Sequence, residues 1–200
     1  MSAVKRKSKR VDEGVKIEIR LHRPSLKEKF FFFTSGIIMS VPLTLFIDQL
    51  TGYLLLPLST FYATLLSVAV FAPFIEEFAK AYPLFYRHGE TERSIFNLGF
   101  LVGLGFGILE MLTYVLALGV PVLFRLPGVF FHPASTSITA YGIATKRPII
   151  FYLAAVSLHF SNNFLALISP FNFSTSILIV AIALFISWNL QRRTAEKIVS

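Results

Sequence analysis

Six residues of this 200-residue chain stand where their chemistry is costly: Glu76, Glu77, Glu110, His132, His159 and Asn163 all lie within long apolar runs. An ionisable group in a membrane span costs roughly 2.5–3.5 kcal/mol on insertion scales, so such groups mark function by default. Their types suit three kinds of chemistry. A carboxylate and an imidazole can activate water as base and acid. Glu77, Glu110, His132 and His159 together form a set of two carboxylates and two imidazoles suited to Zn2+ with an open water position. Buried Glu and His also carry ions through transporters. The chain has no cysteine, which excludes thiolate nucleophiles, disulfides and Cys-based zinc sites.

Local spacing sorts these residues further. Glu76 and Glu77 are neighbours on a helix, so they point about 100° apart and cannot share one partner. Lys80 is four residues from the first and three from the second, within reach of either. One ammonium cannot neutralise both, so the surplus carboxylate needs a proton, a metal or a histidine. Glu110 has no basic residue near it in its own span, and an isolated core carboxyl can simply stay protonated. His159 and Asn163 are one turn apart and share a face. Ser135, Thr136, Ser137 and Ser161 keep a hydroxyl nucleophile in play. No serine is clearly paired with a histidine and an acid, so attack by water is the better reading.

The elements that must position these groups are membrane helices. Apolar residues make up 54% of the chain and charged residues 15%, where a soluble chain carries about a quarter charged residues. Phe occurs 22 times, more often than Lys and Arg together at 19. A globule of this size has too little interior for that apolar surface, so the bilayer must cover it. The net charge of +8 is not a nucleic-acid signal, because ten of the 19 basic residues lie in the first 29 positions.

Six spans are predicted: Phe30–Ile47, Tyr53–Ile75 continuing as a charged helix to about Arg87, Ile95–Leu118, Gly128–Thr145, Ile149–Ile168 and Phe173–Gln191. Each is close to the ~20 residues that cross a bilayer. With the N-terminus inside, the inner segments hold 18 basic residues and the outer loops only Arg125, which predicts a multi-pass protein of the cell membrane with both ends cytoplasmic. The expected organisation is a basic head over 1–29, a membrane domain over 30–191 and a basic tail over 192–200. Within the head, the stretch at 15–22 alternates weakly like a short strand. The head is too long and too charged for a signal-peptide n-region, so it is expected to be retained. Gly99, Gly103 and Gly107 line one face of the third span, a pattern that lets two helices approach closely. Four central spans carry acid, imidazole or carboxamide groups and the first and sixth carry almost none. That asymmetry predicts an all-α polytopic fold with four inner helices around a polar cavity. Convergence requires helices to tilt or break, and Pro73, Pro83 and Pro133 are places for it.

The motifs in chain order carry a resemblance. Glu76-Glu77-Phe-Ala-Lys80 resembles the EExxK motif of PrsW-type intramembrane proteases, and Phe106-Gly-Ile-Leu-Glu110 is similar to the FxxxE motif on the next span. His132, followed by His159-Phe-Ser-Asn-Asn163, resembles the two later histidine motifs, the second as HxxxN. CAAX-type prenyl endopeptidases belong to the same superfamily but end the second motif in His, so Glu110 points to the PrsW branch. The match covers roughly residues 70–165, and at His132 the following Pro133 and Ser/Thr-rich stretch depart from the pattern. The resemblance implies hydrolysis of a peptide bond in or next to the membrane, with a membrane protein or peptide as substrate.

On this reading Glu77 is the base, Glu76 pairs with Lys80, and Glu110, His132 and His159 complete a site for water or zinc. Asn163 is the oxyanion donor. The same residues could also work by acid–base chemistry alone, since HExxH is lacking and the histidines come from different spans. Two rivals belong to other classes: a proton- or cation-coupled transporter, and a non-catalytic membrane adaptor recruiting partners through its basic head. The lack of a repeat between the halves weakens the transporter.

Overall fold

The computed structural model describes residues 22–86, 91–169 and 173–199. Among the described residues the chain is almost entirely helical, and an isolated β-bridge joins Thr91 to Ile198. The short strand expected at 15–22 falls outside the described residues, except that His22 bonds Glu28 at 2.7 Å.

Helix α1, Leu26–Leu54, begins at a capping box: Ser25 Oγ accepts from the Glu28 amide, and the Glu28 carboxylate accepts from the Ser25 amide. The second span differs from the single helix expected from Tyr53. The chain breaks after α1, restarts as α2 at Thr60–Thr64, passes through a π-helical turn at Leu65–Phe71, continues as α3 at Ala72–Ala81 and closes in a 3-10 turn at Tyr82–Phe85. Proline explains the register change. Pro73 has no amide hydrogen for the carbonyl four residues back, and just before it the Ala72 amide bonds the Ser67 carbonyl in i→i−5 register.

Helix α4, Glu92–Leu118, is capped by Thr91, whose side chain accepts from the Ser94 amide, and ends at Gly119 in the left-handed conformation, φ 68°. After three residues comes α5, Val122–Ala144, then α6, Pro148–Ile168, and α7, Phe173–Arg193. The fourth span therefore starts six residues before the predicted Gly128, and Arg125 lies inside a helix rather than in an outer loop. The residues after α7 fold back on the start of α4, where the Glu92 amide bonds the Lys197 carbonyl and the Arg93 amide bonds that of Ala195.

Helix α5 is the centre of the bundle, packed on α3, α4, α6 and α7, while α1 lies against the far side of α4. The glycine face predicted on α4 is the α4–α5 contact. A Cβ on Gly103 would collide with the His132 carbonyl oxygen, one on Gly99 with the Ala140 side chain, and one on Gly107 would stand 3.1 Å from the Gly128 carbonyl. A second close approach, unread in the sequence, joins α1 and α4: Gly36 abuts the Val102 carbonyl and Gly105 that of Phe33. Among the described residues, four helical stretches are long and apolar enough to cross a bilayer: Thr60–Phe85, Glu92–Leu118, Pro148–Ile168 and Ser174–Arg193. Helix α5 is outside that set, and its position explains why. Its residues from Phe131 to Ala140 are buried, Ser135, Thr136, Ser137 and Thr139 among them, so neighbouring helices rather than lipid surround it. Such a helix need not be apolar all round. The protein is an all-α polytopic membrane protein.

Candidate active site

Helix α3 presents its two glutamates to different surroundings. Glu77 is fully buried, and its Oε1 accepts three hydrogen bonds: from Lys80 Nζ at 2.7 Å, from His159 Nδ1 on α6 at 2.9 Å and from Ser135 Oγ on α5 at 3.1 Å. The expected pairing is therefore reversed. Lys80 is the partner of Glu77 and not of Glu76, because the i,i+3 direction faces the bundle centre, where α5 supplies Lys80 with a second acceptor. That acceptor is His132 Nδ1, 2.9 Å from Nζ, and the ammonium also lies over the Phe106 ring, 4.8 Å from its centroid. Lys80 is 0% exposed, a charge tolerated because a carboxylate, an imidazole and an aromatic face surround it.

Donor rules assign the imidazole hydrogens. An ammonium has only donors, so His132 Nδ1 accepts from it and Nε2 carries the hydrogen. That Nε2 donates to Glu110 Oε2 at 2.8 Å, and the other oxygen of Glu110 accepts from Arg125 Nη2 at 2.8 Å. Glu110 is thus paired twice and not isolated. Its cation comes from the next helix, seven residues before His132 and on the same face. The Arg125 guanidinium lies over the Tyr114 ring at 3.7 Å.

His159 donates Nδ1–H to Glu77, which leaves the Nε2 lone pair directed elsewhere. Glu76 Oε2 is 3.8 Å from that nitrogen, and this oxygen is buried without a hydrogen-bond partner. Glu76, His132 and His159 each offer a ligand atom, and these atoms lie within 4.8 Å of one another. This group fits a divalent metal on three counts. It combines two imidazoles with one carboxylate, it contains an orphaned buried oxygen, and Glu77 fixes the tautomer of His159 as a carboxylate behind a metal-bound histidine does. The membership differs from the expected set. Glu76 stands in it in place of Glu77, whose Oε1 is taken up by its three donors, and Glu110 stands one hydrogen bond behind His132. His132 joins a metal only by releasing Lys80 or Glu110, since both of its nitrogens are engaged.

A cavity of about 260 Å³ adjoins the group, with Glu76, Glu110, Arg125, Asn163 and Tyr114 in its wall. Asn163 donates its amide to the Val68 carbonyl in the π-helical turn at 2.9 Å, so the break in the second span is what brings this carboxamide to the cavity. Of the hydroxyl residues, Ser137 shares a 2.7 Å bond with Ser187, Ser161 donates to the Ser157 carbonyl, and Thr136 is buried with its hydroxyl unbonded and no imidazole or acid on it. Ser135 bonds the Glu77 carboxylate and the His132 carbonyl, with no imidazole on it. The sequence reading missed Arg125 as a site residue, and it took Ser135 as a candidate nucleophile rather than as a donor to Glu77. Both share the His132 face of α5, at i−7 and i+3, which is the signal that could have found them.

Comparison with known proteins places this geometry. The model of a family described as PrsW family intramembrane metalloprotease matches residues 26–189, from the start of α1 to within the last turn of α7. No curated protein and no solved structure matches the chain.

Proposed function

The chain belongs to the PrsW family of intramembrane metalloproteases, and on that premise we propose that it hydrolyses a peptide bond of a membrane protein or peptide with a water activated at Glu76. The observation that supports this most is the contrast on α3: Glu76 lines the cavity, whereas Glu77 lies off it with its Oε1 held by three donors. Glu76 takes a proton from the attacking water and returns it to the leaving amine. His159 is held by Glu77 and faces Glu76 through Nε2. Asn163, on the cavity wall, donates to the carbonyl oxygen as charge develops there. Glu76, His132 and His159 would hold a divalent ion such as Zn2+, which would supply Lewis acidity to the water in place of Glu76 acting alone as base. Lys80 stays with Glu77 and keeps that carboxylate from competing for the water.

The same reading puts six spans in the cell membrane with both ends in the cytoplasm, since the 18-to-1 distribution of basic residues favours that orientation. A liposome assay against a broad set of transmembrane peptides tests the proposal. Wild type should cleave some of them, and Glu76→Gln should cleave none while remaining folded. Full activity of Glu76→Gln sinks the assignment of the base. Ion uptake by the wild type without any cleavage favours the transporter instead.

A further inference from the structure

Arg125 is a charge placed in a membrane helix, on the wall of the cavity rather than at its rim. It supplies the countercharge of Glu110, since the neutral His132 adds a hydrogen bond to that carboxylate but no charge. A guanidinium has five N–H donors, and Glu110 takes one of them, on Nη2. Stacking on Tyr114 at 3.7 Å fixes the plane of the fork, so little freedom remains to be lost when a ligand binds. Side-chain exposure is 26%, and Glu76 and Asn163 line the same space.

Distance sets what the fork reaches. From Nη2 the path runs 2.8 Å to Glu110, across one carboxylate, and 2.8 Å on to His132, a member of the metal-capable group. A residue of extended chain spans about 3.3–3.6 Å. That path is several residues of extended chain long, and Glu76 and Arg125 line one cavity, so a peptide reacting at Glu76 runs its backbone through the space that Arg125 faces. Charge decides which group the fork takes. Glu110 already sits on the fork, so an acidic side chain would be seated against a like charge, whereas a neutral carbonyl accepts from the remaining N–H groups without that repulsion.

We infer that Arg125 is a substrate-binding residue that holds a backbone carbonyl of the substrate flanking the cleaved bond within this cavity. This inference rests on the proposed hydrolysis at Glu76. A group that binds substrate and transition state alike raises KM when it is lost and leaves kcat unchanged.

The test is a two-by-two comparison on the full-length protein in liposomes. Wild type and Arg125→Lys are assayed with a cleaved transmembrane peptide and with the same peptide carrying a reduced amide, CH2–NH, at the flanking bond. Arg125→Lys keeps a cation for Glu110 and should raise KM about tenfold to hundredfold with kcat unchanged. The reduced amide should raise KM by a similar factor on wild type and add little on Arg125→Lys, because both changes remove one contact. Equal KM for the two proteins overturns the inference, as do independent, additive effects of variant and peptide. Loss of kcat together with a lowered Tm assigns Arg125 to structure and overturns it as well. If Arg125→Lys does not fold, Tyr114→Leu removes the platform of the fork and should raise KM in the same direction, less steeply; an unchanged KM there rejects the inference. Absence of cleavage by wild type is a different result, because it removes the proposed function itself.

Discussion

Two sides of the α3 helix, one residue apart in sequence, do opposite things. On the sealed side one oxygen of Glu77, an ammonium, a hydroxyl and two imidazoles are joined by hydrogen bonds, with no solvent access at Glu77 or Lys80. On the cavity side Glu76 keeps an oxygen with no partner, and Glu110 and Arg125 share the wall with it. The 100° turn between adjacent helix positions is enough to separate a residue that fixes geometry from one that can react. Substitutions on the sealed side are expected to act on stability first.

The largest effect should come from breaking that sealed side. Lys80→Met leaves the Glu77 carboxylate buried without its cation, and removing one partner of a buried pair costs about 3–5 kcal/mol. Thermal unfolding in detergent should show a large fall in Tm, with activity lost because the fold is lost. Glu76→Gln should do the reverse, abolishing cleavage while Tm moves little. If Lys80→Met is as stable as wild type, the pair does not hold the bundle together and the contrast between the two glutamates collapses.

Metal removal probes the cavity side. A metal bound only by the folded protein stabilises it by about 2.7 kcal/mol at a hundred times its Kd. Chelation should therefore lower the Tm of wild type and stop cleavage, and Zn2+ should restore both. Glu76→Gln should show a much weaker response, since it removes the one carboxylate among Glu76, His132 and His159. Full activity in metal-free wild type would leave acid–base chemistry by the same residues as the mechanism.

How far the sequence disclosed this arrangement depends on what decides each feature. Membrane helices were legible because composition and the placement of basic residues are bulk properties, and a resemblance in four ordered motifs identified the family. The α4 glycine face was legible because Gly99, Gly103 and Gly107 repeat on one side, whereas Gly36 and Gly105 sit singly and give no period. The partner of Lys80 was not legible, because i,i+3 and i,i+4 are equally reachable along a helix and the packing of α5 makes the choice. Nor was the role of Arg125. Its helix starts after a loop of only three residues, 119–121, and a charge so near a helix end reads as a loop cation. The π-helical turn that carries Val68 to Asn163 has no local signature in Leu65–Phe71.

Between the two sides runs the α4–α5 contact, and Gly103 tests it. A side chain there would strike the carbonyl of His132, the residue shared by Lys80 and Glu110. Overpacking of this kind costs typically about 1–3 kcal/mol. Gly103→Leu should destabilise the bundle by about that amount, with a lowered Tm, and cut activity further than the stability loss explains, because His132 moves with its backbone. Gly52, with nothing within 4 Å of a built Cβ, is the control: Gly52→Ala should change neither.

The smallest expected effect belongs to Ser135. Its hydroxyl is one of three donors on Glu77 Oε1 and the longest of them, 3.1 Å against 2.7 Å from Lys80 and 2.9 Å from His159. Ser135→Ala removes that donor and keeps the two charge-bearing or tautomer-fixing contacts. A typical hydrogen bond contributes about 0.5–1.5 kcal/mol net, so Tm should fall modestly. Because His159 remains held by Glu77, its Nε2 still faces Glu76, and kcat should stay within a few-fold of wild type. The hydroxyl also serves to separate water attack from a covalent route. A nucleophilic serine would lose turnover outright on this substitution, with Tm scarcely changed. Measuring both quantities on one preparation distinguishes the outcomes: a modest loss of stability with retained kcat places Ser135 on the sealed side, and abolished turnover moves the nucleophile from water to Ser135.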